Sequence, residues 1–278
     1  MNFPGIDVLM TYNPCMVTAD TSPATARNLM DQYSLRHLPV VDSERRLIGI
    51  VSDVDLAPLS RPQMAMASVG TSHSTGPSQQ DQTHVEEIMT ESVVVITPAD
   101  SPGHAVRMML KHDIHSLPIV ERERLVGVIT SSDYLREFTH GTVPGYRDPA
   151  GKHALRWFAQ ADSTATIHEA GRIMEGTGQS YLAVMQGELP IGIVSRRVLD
   201  VARGSDVSDV GSFDAHRPID PWVNTDVPTL RQDATLGRAA DAMLQHRAPA
   251  VVIVDRSHAL VGLLPQDAIL QVVAEHLA

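Results

Sequence analysis

The chain has 278 residues, 43% of them hydrophobic and 20% charged, which is enough apolar material for two compact cores and excludes a disordered polymer. A formal net charge of -11 works against nucleic acid and against an anionic membrane surface, since both bind through an excess of Lys and Arg. One cysteine, Cys15, excludes an intrachain disulfide and a thiolate metal site, and it reads as a small apolar strand residue in a reducing compartment. The N-terminal MNFPGIDVLM has no basic region or long apolar run, and no window reaches the ~18 apolar residues of a membrane span, so the chain reads as cytoplasmic and soluble.

In chain order, the first predicted helix starts at Ser22 in SPATA, with the hydroxyl at the N-cap and proline at N1. An apolar strand, LPVV at Leu38, follows, then the polar turn DSERR and a second strand running into GIVSDVD at Gly49 to Asp55. The segment SDVDL opens another helix. A Ser/Gly/Pro-rich stretch without periodicity then predicts a flexible loop over 61–84.

The same order returns three times. SPGHA at Ser101, LPIV at Leu117 and GVITSSD at Gly127 form the second copy. TIHEA at Thr166, LAVM at Leu182 and GIVSRRV at Gly192 form the third, and TLGRA at Thr235, VVIV at Val251 and GLLPQDA at Gly262 the fourth. From hydroxyl to motif glycine the spacing is 27, 26, 26 and 27 residues, a constancy that marks internal repeats. Ala26, Ala105, Ala170 and Ala239 each precede a methionine by four residues, at Met30, Met109, Met174 and Met243, giving every first helix one apolar stripe.

Each unit therefore reads as strand, helix, strand, strand, helix, an α+β fold. A unit of 55 to 65 residues buries little surface alone, so the units are expected to pair in twos about pseudo-twofold axes. The predicted boundaries are 1–60, 85–140, 153–204 and 219–278 for the repeats, with a linker over 141–152 and a loop over 205–218.

DVLMT, SLRHLPVVD and LIGIVSDVDL, then VEEIMT, DIHSLPIV and LVGVITSSDYL, resemble the CBS domain, a regulatory module, and four copies resemble two paired Bateman modules. The likeness covers nearly the whole chain and is stronger in the first half. It implies adenine-nucleotide binding in clefts between paired repeats, with AMP, ADP or ATP as regulatory ligand, and edge-to-edge pairing of modules into a homodimer.

Taken alone, Ser52-x-x-Asp55 and Thr130-x-x-Asp133 are capping boxes as readily as ligand grips. The resemblance adds partners: Thr11 and Thr90 with Arg36 and His115 for phosphates, Asp55 and Asp133 for a ribose diol, and Leu35 and Ile114 flanking the adenine. Each cleft would mix repeats, pairing Asp55 with Thr90 and Asp133 with Thr11. At the same offsets the third repeat holds Leu155, Ser180, Ser195 and Val198, and the fourth holds Asn224, Pro249, Pro265 and Ala268. A motif serving only as a cap has no reason to decay together with distant Thr and cation positions, which favours the grip in the first half and a scaffold in the second.

His112 and His115 lack a marked third ligand, so no metal site is expected. No catalytic pairing or phosphate loop stands out, and the chain reads as non-catalytic, with a ligand-free structural or interaction module as the alternative. Trp157 and Trp222 read as packing residues, with a partner interface as the alternative, and Arg196-Arg197 as a solvated pair, with an anion site as the alternative.

Overall fold

The computed structural model describes residues 3–56, 83–204 and 217–277. Apart from Thr83 and His84, the loop expected over 61–84 lies outside the described residues, as does the loop over 205–218 apart from Arg217 and Pro218. The chain divides into two compact units. After α1 (Ile6–Leu9), which belongs to the larger unit, the smaller unit takes Thr11–Pro98 and Pro118–Val128.

The smaller unit contains β1 (Thr11–Tyr12), β2 (Val17–Thr18), α2 (Pro23–Tyr33), β3 (His37–Val41), β4 (Leu47–Ser52) and α3 (Asp53–Leu56). β2 runs parallel to β3, which requires a crossover, and α2 supplies it. β3 and β4 form an antiparallel hairpin. Its turn is organised by Asp42, whose carboxylate accepts from the N–H groups of Glu44 (2.9 Å) and Arg46 (2.8 Å) while Arg45 adopts a φ of 65°. The core joins Val17, Ala26, Met30, Leu38, Val40, Val51, Leu56 and Val85. Cys15 packs at its edge, just before β2 rather than within a strand.

The larger unit holds α4 (Pro102–His112) and, beyond the hairpin of β5 (Ser116–Glu121) and β6 (Arg124–Thr130) through which the chain crosses between units, α5 (Ser131–Thr139) and α6 (Ala150–His153). Next come β7 (Ala159–Asp162), α7 (Ile167–Thr177), β8 (Tyr181–Gln186), β9 (Leu189–Ser195) and α8 (Arg196–Gly204). Last are β10 (Thr229–Arg231), α9 (Leu236–His246), β11 (Ala250–Val254), β12 (Leu260–Pro265) and α10 (Gln266–His276). The sheets β7-β8-β9 and β10-β11-β12 repeat the parallel-then-hairpin pattern of β2-β3-β4. In the second repeat the first strand shrinks to one parallel bridge, Ile96 to Ile119.

All four predicted N-caps form. The hydroxyls of Ser22, Ser101, Thr166 and Thr235 accept from the N–H groups of Thr25, His104, Glu169 and Arg238 at 3.1–3.2 Å, each cap contributing about 1 kcal/mol. The four Ala and Met pairs are all buried, so the period-four stripe is the face each helix turns to its sheet. Each of these helices ends in a left-handed residue, Ser34, Asp113, Gly178 or Arg247. The chain thereby turns at the same point in every repeat.

Candidate nucleotide site and its degenerate copies

Residues far apart in sequence converge through one recurring backbone arrangement. The position occupied by Thr11, Thr90, Leu155 or Asn224 pairs antiparallel with the glycine-motif strand of the neighbouring repeat. In the smaller unit Thr11 faces Val128 and Thr90 faces Ile50, and in the larger unit Leu155 faces Leu263 and Asn224 faces Ile193. The two-residue strand β1 arises in this way, where the sequence suggested only a residue preceding a strand. Thr90 both donates to Ile50 (2.9 Å) and accepts from it (3.0 Å), which fixes it two residues short of Ser52 on the facing strand.

A second recurring bond ties the position before each apolar strand to the residue after the motif hydroxyl. The carbonyls of Arg36, His115, Ser180 and Pro249 accept from the N–H groups of Asp53 (2.9 Å), Ser131 (2.9 Å), Arg196 (2.8 Å) and Gln266 (2.8 Å). Within the smaller unit Arg36, Ser52, Asp55 and Thr90 therefore gather at the end of β4, with Leu35 half-buried against the core beside Arg36. Thr11 lies in the same unit. Ile114, His115, Thr130 and Asp133 lie in the larger unit.

The cap and the candidate grip use the same carboxylates. Asp55 Oδ2 accepts from the Ser52 N–H (2.8 Å) and from Ser52 Oγ (2.6 Å), and Asp133 Oδ2 accepts from the Thr130 N–H (2.8 Å) and Oγ1 (2.7 Å). Asp133 is further engaged, because its Oδ1 accepts from the Arg136 guanidinium at 2.8 Å. In the third repeat Ser195 still accepts from the Val198 N–H (3.3 Å), while in the fourth Pro265 offers no side-chain cap.

His115 points into a polar cluster of the larger unit. Its Nδ1 lies 3.7 Å from Asp267 Oδ1, and its Nε2 lies 3.4 Å from the Tyr181 hydroxyl. Asp113 is beside them, its Oδ2 accepting from Ser180 Oγ at 3.1 Å. Burial pushes the Asp267 carboxyl up to about 6, and the negative charge of Asp113 adds to the shift. Sequence reasoning missed Asp113, Asp267 and Tyr181, because they come from different repeats and no local spacing links them.

Two side readings change. Trp222 is buried, but Trp157 is 91% exposed and packs against nothing that would shield it. Arg196 is no solvated side chain. Its guanidinium donates to the carbonyls of Met174 (2.8 Å) and Gln179 (2.9 Å) and so caps the end of α7. Among the described residues no helix is long and apolar enough to cross a membrane.

Comparison with known proteins bears on the repeats and on the fold. The CBS domain model matches residues 6–60, 85–140 and 219–275. An L-aspartate semialdehyde sulfurtransferase of Methanocaldococcus jannaschii is 28% identical over 47% of this chain and 22% of its own length. An inosine-5'-monophosphate dehydrogenase of the same organism is 31% identical over 47% of this chain and 23% of its own length. The chain thus spans under a quarter of these enzymes. An uncharacterized 33.4 kDa protein of Thermofilum pendens is 32% identical over 69% of this chain and 62% of that protein.

Two solved structures share the fold along almost the whole chain at 18% identity. One is a Methanocaldococcus jannaschii protein described as a proposed archaeal homolog of g-AMPK (TM-score 0.69, 96% of this chain and 99% of that one). The other is an uncharacterized conserved protein from Pyrococcus horikoshii (TM-score 0.57, 97% and 100%). With the family model covering more than half of its residues, the chain belongs to the CBS domain family.

Proposed function

We propose that the chain is a non-catalytic regulatory protein that senses an adenine nucleotide, AMP, ADP or ATP, through the polar residues of its first two repeats. The observation that carries this reading is the gathering of Arg36, Ser52, Asp55 and Thr90 in one compact unit by the bonds Asp53 to Arg36 and Thr90 to Ile50. A cation and two hydroxyls suit a phosphate, and a carboxylate, which accepts at both oxygens, suits a ribose diol as well as a cap. Leu35 supplies apolar surface for the base. Repeats 3 and 4 keep the backbone frame with Leu155, Val198, Asn224, Pro249 and Ala268 at these positions, which supports a scaffold role for them.

Ile114, His115, Thr130 and Asp133 are the counterpart residues of the second repeat, to which the sequence resemblance adds Thr11. A ligand using Asp133 there has to compete with Arg136, so the first set is the stronger candidate. The enzyme activities of the curated relatives do not transfer, because this chain matches less than a quarter of each.

Thermal denaturation with each nucleotide tests the proposal: a ligand at about 100 times its Kd adds about 2.7 kcal/mol of stability. The shift should vanish in Arg36→Ala, which leaves the cap intact. No shift with any adenine nucleotide, or an equal shift in that variant, overturns it. A ligand-free structural module is the second reading. It is favoured by the packing of α4 and α5 on α10 and α9 within the larger unit, which gives repeats 2 and 4 a purely structural bond. The proposed assembly is a homodimer, for which the exposed Trp157 offers partner surface, and the mass in sedimentation equilibrium tests it.

A further inference from the structure

We propose that Asp113, His115 and Asp267 form a binding site for one divalent transition-metal cation, which would clasp the second repeat to the fourth. Their donor atoms all lie within 4.8 Å of one another, with His115 Nδ1 at 3.7 Å from Asp267 Oδ1. Two donors on one cation with bonds of about 2.1 Å stand roughly 3 to 4.2 Å apart, so small side-chain shifts close the triad around an ion. Two carboxylates and an imidazole are a donor set for zinc, manganese, cobalt or nickel rather than for calcium, which takes six or more oxygens.

The surroundings are organised as a metal's outer ring is. Tyr181 holds the second ring nitrogen of His115 through its hydroxyl at 3.4 Å, turning Nδ1 toward Asp267. Ser180 donates to Asp113 Oδ2 at 3.1 Å and orients that carboxylate. Both come from the middle of the third repeat, at the start of β8, so three repeats meet at this point. Asp113 and Asp267 also bring carboxylate oxygens within 4.8 Å of each other, where two like charges repel. A bound dication reverses that penalty, because it stabilises both charges at once.

The site shares His115 with the counterpart residues of the nucleotide reading but not Arg36, Ser52, Asp55 or Thr90, and its probe is the metal alone, so the two readings can fail separately. The full-length protein is stripped with a chelator, desalted and titrated with Zn2+, and separately with Co2+, whose visible absorption reports the ligand field. The expected result is one cation per chain. Asp113→Asn and His115→Ala each weaken the Kd at least tenfold, Tyr181→Phe weakens it about tenfold, and His112→Ala leaves it unchanged. Asn suits the left-handed backbone of residue 113 (φ 52°), so Asp113→Asn stays folded and decides the matter even if His115→Ala unfolds. No bound cation, or equal affinity in wild type and Asp113→Asn, or a loss in His112→Ala as large as in Asp113→Asn, overturns the site.

Discussion

Gly192 lies directly beneath the carbonyl of Asn224: a Cβ on Gly192 would stand 2.5 Å from that oxygen, well inside van der Waals contact. Gly262 stands in the same relation to Leu155, at 2.6 Å, and at Gly49 a Cβ would collide with Met89 and press on the carbonyl of Thr90. The motif glycine is thus the place where the neighbouring repeat's backbone crosses. Its survival in repeats 3 and 4, where the carboxylate is lost and, in the fourth, the hydroxyl as well, follows from packing that each of these repeat pairs requires.

Gly192→Ala and Gly262→Ala are therefore expected to destabilise the protein by about 1–3 kcal/mol each, the range for forcing extra atoms into a packed interface. Backbone stands against the new methyl at both positions and cannot swing aside. Gly176→Ala is the control, since nothing lies within 4 Å of its added Cβ and alanine favours the helix. Urea unfolding checks all three. A Gly192→Ala protein as stable as wild type would remove this account of the glycine.

Arg136 offers a separate handle on the capping carboxylate of the second repeat. The side chain is 61% exposed, and an exposed pair of this kind contributes 0–1 kcal/mol, so Arg136→Ala should hardly move the unfolding midpoint. It releases Asp133 Oδ1 while Thr130 keeps Oδ2. If the counterpart set binds a nucleotide, titration calorimetry on Arg136→Ala should find tighter binding than wild type. Weaker binding would assign Arg136 to the ligand instead.

Tyr134 gives a pH prediction with a definite sign. Its ring is fully buried and its hydroxyl donates to the Pro102 carbonyl at 2.7 Å. Burial raises the phenol well above its ordinary value of 10.0, and the charge of Asp133 raises it further. The folded state thus holds this proton more tightly than the unfolded chain does. The associated stability is complete below pH 10 and is lost progressively as the pH rises above it. Tyr134→Phe should cost about 1 kcal/mol at neutral pH, from the unpaired Pro102 carbonyl, and should flatten the alkaline decline seen in stability against pH. An unchanged decline in the variant would assign it to other groups.

The repeats, their caps and their buried stripes were legible in the sequence because they rest on interactions within three or four residues. Ser22 reaches Thr25, Thr166 reaches Glu169, and Met30 follows Ala26 by one helical turn. The decay of the motif was legible too, since a fixed spacing allows four copies to be compared position by position. Trp157 was misread because burial of one aromatic depends on what packs over it, and no periodic pattern surrounds it.

The sequence by itself determined the unit of construction: strand, helix and hairpin, repeated four times with the polar signature confined to the first two copies. Only the tertiary structure decided which strand edge receives Thr90, that Arg196 closes the end of α7, and that Asp113, His115 and Asp267 share one polar cluster. The physical reason is range. Caps and stripes are fixed by the geometry of a few consecutive residues, whereas a carboxylate from residue 267 meets an imidazole from residue 115 only after elements of the second and fourth repeats have packed within the larger unit.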